Sequence, residues 1–137
     1  MAQEIITIDA LAVSPLVLAY IGDSFYELTV RTHALSLHNS SVERVNNYTK
    51  KYTKATAQAA ISELITEDLT EKEMHVFKRG RNSKSASVPS SCTVSEYRRA
   101  TGLEALVGFL YLDGQKERAE ELILSGIEKY DMDQEEA

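Results

Sequence analysis

The sequence is poor in the residues that mark several large classes of protein. It has one cysteine, no tryptophan, two prolines and six glycines among its 137 residues. A single cysteine excludes a disulfide framework and suits a reducing compartment. So few prolines and glycines argue against a fibrous or disordered chain. The composition therefore predicts an ordinary globular protein, with one domain over residues 1–137.

Long apolar runs and metal-binding spacings are also missing. The apolar stretches are interrupted within about ten residues, which is too short to cross a membrane. No basic segment precedes an apolar one near Met1, so we expect no signal peptide, no membrane contact and a cytoplasmic protein. The histidines and the cysteine have no zinc-ligand spacing, and no glycine-rich phosphate loop is present. Zinc sites and nucleoside-triphosphate binding therefore have no support.

The net charge of −6 is unevenly distributed along the chain. Residues 117–137 hold eight acids and two bases, which accounts for all of it, and we expect residues 131–137 to be a frayed acidic tail. Residues 78–99 contain six bases and one acid, a local charge of +5. Such a segment is typical of a surface that binds a polyanion, and it is also what a solvated loop carries.

Hydrophobic periodicity predicts helices along almost the whole chain and no strand, which indicates an all-α fold. Capping residues and helix breakers give approximate limits for these helices. The first spans 15–37 and follows Ser14, the second begins at a capping box of Ser40 and Glu43, and the third spans 53–68. The fourth runs from a capping box of Thr70 and Glu73 to Gly80, the fifth spans 95–112 and the sixth 115–130. Residues 79–95 are rich in serine and read as a loop, basic in its first half.

Two helices each carry one acid in an otherwise apolar or small row, Asp23 in the first and Glu104 in the fifth. A buried carboxylate needs a cationic partner (Arg31, Arg98 or Arg99), a proton, or a metal ion. Small residues flank both acids, which would let the two helices cross closely and bring the carboxylates together. Two neighbouring carboxylates share a proton or bind a cation, and oxygen ligands beside a basic loop favour Mg²⁺. That combination is the apparatus of metal-assisted phosphodiester hydrolysis.

The segments around the two acids resemble the ribonuclease III catalytic domain. The stretch "LAYIGDSFYELTVRTHAL" (18–35) is similar to the signature helix of that domain, and "YRRATGLEALVGFLYLDG" (97–114) is similar to its second acid-bearing stretch. Between them, "FKRGRNSK" (77–84) and "YTKATAQA" (52–59) resemble the short Mini-ribonuclease III branch, which lacks a double-stranded-RNA-binding domain. The order of these motifs is specific, whereas each alone is weak.

The resemblance implies a homodimeric, Mg²⁺-dependent endoribonuclease that cleaves double-stranded RNA and matures the ends of the 23S ribosomal RNA precursor. It assigns Asp23 and Glu104 as the catalytic and metal-binding residues. Ribonuclease III has further acids where this chain has Leu16, Ala19 and Thr101, so the metal site should be thin and should lean on water and on the phosphates of the RNA. A ribosomal protein or the pre-ribosomal particle is a candidate further partner.

The basic segment between the two acidic helices is the expected RNA-binding surface. Its candidate contacts are Arg79, Arg81, Asn82, Lys84, Arg98 and Arg99. These side chains should grip the phosphates of an A-form duplex, and binding should weaken steeply with salt. Arg98 has a second interpretation, because it could instead hold one of the acids in place.

Two other functions remain open on the sequence. One is a non-catalytic ribonuclease III-like module that only binds RNA, and the other is a helical adaptor whose acidic tail binds a basic protein. The nuclease and the module both predict salt-sensitive duplex binding, and the adaptor predicts none. Only the nuclease predicts Mg²⁺-dependent strand scission.

Overall fold

The computed structural model describes residues 8–39, 41–83 and 87–136, which form helices and connecting segments without a strand. The α-helices are α1 (Pro15–Leu37), α2 (Val42–Thr53), α3 (Ala55–Leu64), α4 (Glu71–Arg81), α5 (Val94–Leu112) and α6 (Lys116–Glu136). Single 3-10 turns at Ala10–Ala12 and Thr66–Asp68 precede α1 and α4. The predicted all-α fold is confirmed. None of the described helices is long and apolar enough to cross a membrane.

Helix α5 is the centre of the fold, and α1, α3, α4 and α6 all pack against it. Every residue from Ala100 to Leu110 is buried except Glu104, which is partly exposed. A helix that is apolar all round must be covered on every side, which explains why four helices surround it. Burial of its apolar side chains supplies the main driving force for this arrangement.

The closest approach in the fold is the crossing of α1 and α5, where two glycines face each other's backbones. A Cβ atom added to Gly22 would lie 1.7 Å from the backbone oxygen of Glu104, and one added to Gly108 would lie 1.9 Å from that of Leu18. No side chain fits in either space, because real Cβ atoms do not come within 3 Å of a backbone oxygen. The predicted close crossing of these two helices is therefore confirmed.

Local capping residues set where the other helices begin. Thr70 and Glu73 form the predicted capping box of α4, and Thr93 and Glu96 form a second one at the start of α5. The cap of α2 is Ser41, whose side chain accepts a hydrogen bond from the backbone of Arg44. The predicted cap, Ser40, lies outside the described residues.

Three predicted limits were wrong. The helix predicted over 53–68 is shorter, because α3 begins at Ala55 after the extended Lys54 and ends at Leu64, and the separate 3-10 turn Thr66–Asp68 follows it. Gly80 does not end α4 but lies inside it, where the absence of a side chain lets α4 press against Ala105 of α5. Helix α6 continues past Tyr130 to Glu136, where a frayed tail was expected.

Hydrogen bonds fasten α6 to the elements around it. The guanidinium of Arg118 contacts both carboxylate oxygens of the buried Glu73 at 2.9 Å and the backbone oxygen of Asp68 at 2.7 Å. The hydroxyl of Tyr52 donates to Asp131 at 2.7 Å, which explains why the helix stays ordered beyond Tyr130. These contacts tie α6 to α2, to α4 and to the 3-10 turn that precedes α4.

We predict that Gly22→Ala destabilises the protein by more than about 3 kcal/mol, because its new methyl group would collide with the backbone of α5. Gly126→Ala is the matched comparison, since its Cβ would lie 2.6 Å from the Cγ2 methyl group of Ile61, a side-chain atom and not backbone, so the loss of stability should be smaller. Urea denaturation measures both free energies of unfolding. A Gly22→Ala variant as stable as Gly126→Ala would contradict the prediction.

Candidate active site

The α1–α5 crossing brings the two predicted acids together. Asp23 follows Gly22 on α1, and Glu104 is the residue whose backbone oxygen Gly22 contacts on α5. The two carboxyl groups lie within hydrogen-bonding reach of each other, and that interaction raises the pKa of Glu104. The glycine contact thus fixes the separation of the acids through backbone atoms.

The two acids differ in their surroundings. Burial, and to a lesser extent the nearby Asp23, raise the pKa of the Glu104 carboxyl to about 8. Asp23 itself is exposed, so the expectation that it is buried among apolar residues was wrong. It follows Gly22 by about 100° around the helix, which turns its side chain from the helix contact to the rim.

None of the proposed arginine partners forms an ion pair with these acids within the described ranges. Arg31 instead pairs with Glu27 at 2.5 Å, one turn away on the same helix. The Nε of Arg99 donates to Ser62 at 3.1 Å and lies 3.4 Å from Glu63. Arg98 is exposed and makes no ion pair there. Of the three compensations that the sequence left open, a shared proton and a bound cation remain.

The donor set suits a hard cation that keeps much of its water. Carboxylate oxygens are the ligands that Mg²⁺ takes in proteins, and it needs only one or two of them. No group of three or more acidic, histidine or cysteine side chains that could hold a metal occurs in the described part of the chain. Thr101, which replaces an acid of the family, is buried and donates its hydroxyl to the backbone of Tyr97 at 3.0 Å. The carboxylates of Asp23 and Glu104 are therefore the fitting ligands.

A second polar group near Glu104 was missed in the sequence. Gln58 of α3 is 3% exposed and acts on the Glu104 carboxyl in the direction that lowers its pKa. Its only signal in the sequence is a glutamine between alanines in "ATAQAA", a stretch that reads as the buried face of a helix. A polar residue at such a position is easily taken for one at the edge of the apolar face.

Four of the predicted RNA-binding residues line one groove of about 390 Å³ between the end of α4 and the start of α5. They are Arg81, Asn82, Arg98 and Arg99. The buried ring of Phe77 supports two of them, because its centroid lies 6.0 Å from the guanidinium of Arg81 and 5.5 Å from that of Arg99. Arg99 and Glu104 are about 7.5 Å apart along the axis of α5 and about 140° apart around it, so the groove and the acid pair share one helix but face different directions.

The other two predicted contacts do not line the groove. Arg79 is half-buried and its guanidinium lies 3.4 Å from the backbone oxygen of Leu11, near the start of the described chain. Successive helical residues are turned by about 100°, which points Arg79 and Arg81 to different sides of α4. Lys84 lies outside the described residues. RNA contacts by Arg79 and Lys84 stay predictions.

Comparison with known proteins identifies the class of this fold and site. The model of the ribonuclease III domain matches residues 16–115, a range that contains both acids and the groove. The protein is therefore a helical endonuclease of the ribonuclease III type, which acts on double-stranded RNA. This confirms the predicted enzyme class.

The relatives narrow this class further. A Mini-ribonuclease 3 from Thermoanaerobacter sp. (strain X514) is 45% identical over 113 residues, which cover 82% of this chain and 80% of the relative. That of Clostridium tetani is 39% identical over 132 residues, covering 96% and 87%. A crystal structure of a protein from Fusobacterium nucleatum shares the fold with a TM-score of 0.77 and 36% identity, covering 88% and 97%. The chain belongs to the Mini-ribonuclease 3 branch of the ribonuclease III family, as its motifs predicted.

Proposed function

We propose that this endoribonuclease uses Mg²⁺, held by Asp23 and Glu104, to hydrolyse phosphodiester bonds in double-stranded RNA. The observation that carries the proposal is the pair of neighbouring carboxylates, which has no cationic partner in the described ranges, and α5, which carries Glu104, also lines a basic groove. A half-buried carboxylate such as Glu104, next to a second acid and without a cationic partner in the described ranges, is costly unless a proton or a cation compensates it. In a ribonuclease III-type domain, a catalytic metal ion bound by the two carboxylates would offset this unfavourable free energy.

The residues of this chain divide the work. When bound, Mg²⁺ supplies a Lewis acid that makes water nucleophilic near neutral pH and offsets the charge on the leaving 3′ oxygen. Asp23, at the solvent rim, and Glu104, at the edge of the core, hold the ion. Because Glu104 has a raised pKa, it must give up a proton before it can act as a ligand. Arg81 and Arg98, which line the basic groove, hold the RNA phosphates.

We propose that the active form is a homodimer in which a second copy covers α1. Leu16, Val17, Tyr20 and Leu28 of this helix are exposed apolar side chains, and Tyr20 is 76% exposed. So much apolar surface on the helix that also carries Asp23 indicates an interaction face. A two-fold interface there would place two acid pairs across one duplex, one for each strand.

The natural substrate that we propose is the 23S ribosomal RNA precursor, processed in the cytoplasm by the free enzyme or together with a ribosomal protein or the pre-ribosomal particle. This rests on membership of the Mini-ribonuclease 3 branch. A chain that grips the duplex through one groove reads mostly shape and backbone. Sequence choice then depends on how the precursor presents its stem.

We predict that Asp23→Asn and Glu104→Gln each abolish cleavage of a double-stranded RNA in Mg²⁺ while duplex binding persists, since each removes a metal ligand. Gel analysis with Mg²⁺ or EDTA measures cleavage of a 23S precursor stem and of an unrelated duplex. The matched control is Glu128→Gln, an exposed acid on α6, which should cleave normally. Binding without scission by the unmodified protein would favour the non-catalytic module, and absence of binding would favour the adaptor.

We predict that Arg81→Ala and Arg98→Ala each weaken duplex binding and reduce the slope of log affinity against log salt by about 1, because each removes one phosphate contact. Lys72→Ala, at the opposite end of α4, is the matched control and should leave the slope unchanged. Fluorescence anisotropy over a salt series measures these slopes. Equal slopes for all three variants would remove the groove from the binding surface.

We predict that Tyr20→Glu converts the dimer to a monomer, because it places a charge at the centre of the apolar face of α1. Leu124→Glu introduces the same charge at a half-exposed apolar position of α6 and should leave the dimer intact. Light scattering coupled to size-exclusion chromatography gives the mass of each. An unmodified protein that elutes as a monomer at micromolar concentration would refute the dimer.

A further inference from the structure

Gln58 is a buried polar side chain whose amide nitrogen has nothing to donate to. It is 3% exposed, and its Nε2 is buried without a hydrogen-bond partner of acceptable geometry among the described residues. Its neighbours Ala57 and Ile61 belong to the core. An unsatisfied buried amide opposes folding, and native structures keep few of them without a reason. If Gln58 served packing alone, an apolar side chain of the same length would serve better.

The position of Gln58 supplies a reason. Ser62, one turn further along α3, contacts the Nε of Arg99 on α5 at 3.1 Å. That contact fixes the register of the two helices, and one turn back along α3 brings Gln58 opposite the stretch of α5 that carries Glu104. The amide is close enough to the Glu104 carboxyl to act against its raised pKa. The orphaned donor therefore faces the acid that is a proposed metal ligand.

A carboxylate that binds a metal needs a further hydrogen bond to stay in place. Metal ligands in proteins are usually oriented by a second ring of donors, and loss of such a donor weakens metal binding. Asp23 cannot serve, because it is itself a carboxylate. Within the described ranges, no cationic side chain reaches Glu104 to form an ion pair. Gln58 Nε2 is the neutral donor at hand.

We propose that Gln58 is a positioning residue, whose Nε2 donates to the Glu104 carboxylate when that carboxylate binds the metal ion. In the metal-free protein the same group stays unsatisfied. This inference rests on the proposed function, because it takes Glu104 to be a metal ligand. It gives the side chain two effects of opposite sign, since it destabilises the metal-free fold and strengthens metal binding.

Gln58→Met separates these effects, because methionine keeps the length of the side chain and removes the donor. We expect the Tm of the metal-free variant, measured by calorimetry in EDTA, to rise by a few degrees. Mn²⁺ serves as the probe because it takes the same oxygen ligands and its free concentration is measured by electron paramagnetic resonance. We expect the Kd of the full-length protein for Mn²⁺ to increase roughly 10- to 100-fold.

Ser62→Ala is the matched control one turn along the same helix face. Its hydroxyl has partners, since it donates to Ala59 at 2.6 Å and accepts from Arg99, so its loss should lower Tm and leave Mn²⁺ affinity unchanged. In a Glu104→Gln background, Gln58→Met should have no further effect on Mn²⁺ binding, because the two residues act through one ligand.

The outcomes are distinguishable. If neither Asp23→Asn nor Glu104→Gln weakens Mn²⁺ binding, the proposed metal site itself is wrong. If both weaken it and Gln58→Met binds Mn²⁺ like the unmodified protein, the role of Gln58 is wrong and the proposed function stands. A Gln58→Met variant that unfolds, or loses Tm together with affinity, shows a purely structural residue and also overturns the inference.

Discussion

The contact between Gly22 and the backbone of Glu104 is the constraint on which the rest of the molecule depends. At this point α1 and α5 touch through backbone atoms alone, and Gly108 repeats the arrangement on the other helix. A backbone contact has no rotamers, so it sets the distance between the helices without the freedom that side-chain packing would leave. The two carboxyl groups inherit this precision because each lies on or next to a contact residue.

The same helix carries both halves of the candidate site. Along α5, Arg98 and Arg99 line the groove and Glu104 follows little more than one turn later. Because α5 is buried on nearly every side, its residues cannot shift relative to one another or to the core. A substrate phosphate held in the groove would therefore lie at a fixed distance from the acid pair.

Much of this arrangement could be predicted from the sequence, because it depends on local patterns. The capping box at Thr70 and the acids within two apolar helices could be recognised from residue spacing in the sequence alone. Gly80 was not, since glycine serves equally to end a helix and to let two helices touch, and only the tertiary contact decides. The prediction ended α4 at Gly80, one residue short of Arg81, and gave no reason to expect the contact of Gly80 with Ala105.

The remaining discrepancies have tertiary causes as well. Asp23 was expected to be buried because its row is apolar; Ala19, Tyr26 and Val30 of that row are buried, but Asp23 is exposed. The role proposed for Gln58 could not be predicted, because it depends on Glu104, 46 positions later in the chain, and hydrophobic periodicity does not relate the two residues. Such pairings arise only when the helices are assembled. They are also where the candidate chemistry is concentrated.

The uneven charge of the chain has a consequence for how a duplex approaches it. The acids of residues 117–136 lie on α6, which contributes no residue to the basic groove. A polyanion that drifts towards α6 is repelled, and one that drifts towards the groove is attracted. The protein thus has a dipolar charge distribution, which orients it in the electric field of the RNA before contact. The acidic α6 weakens the long-range attraction between the protein and RNA, but it also reduces encounters in which RNA meets the protein away from the groove.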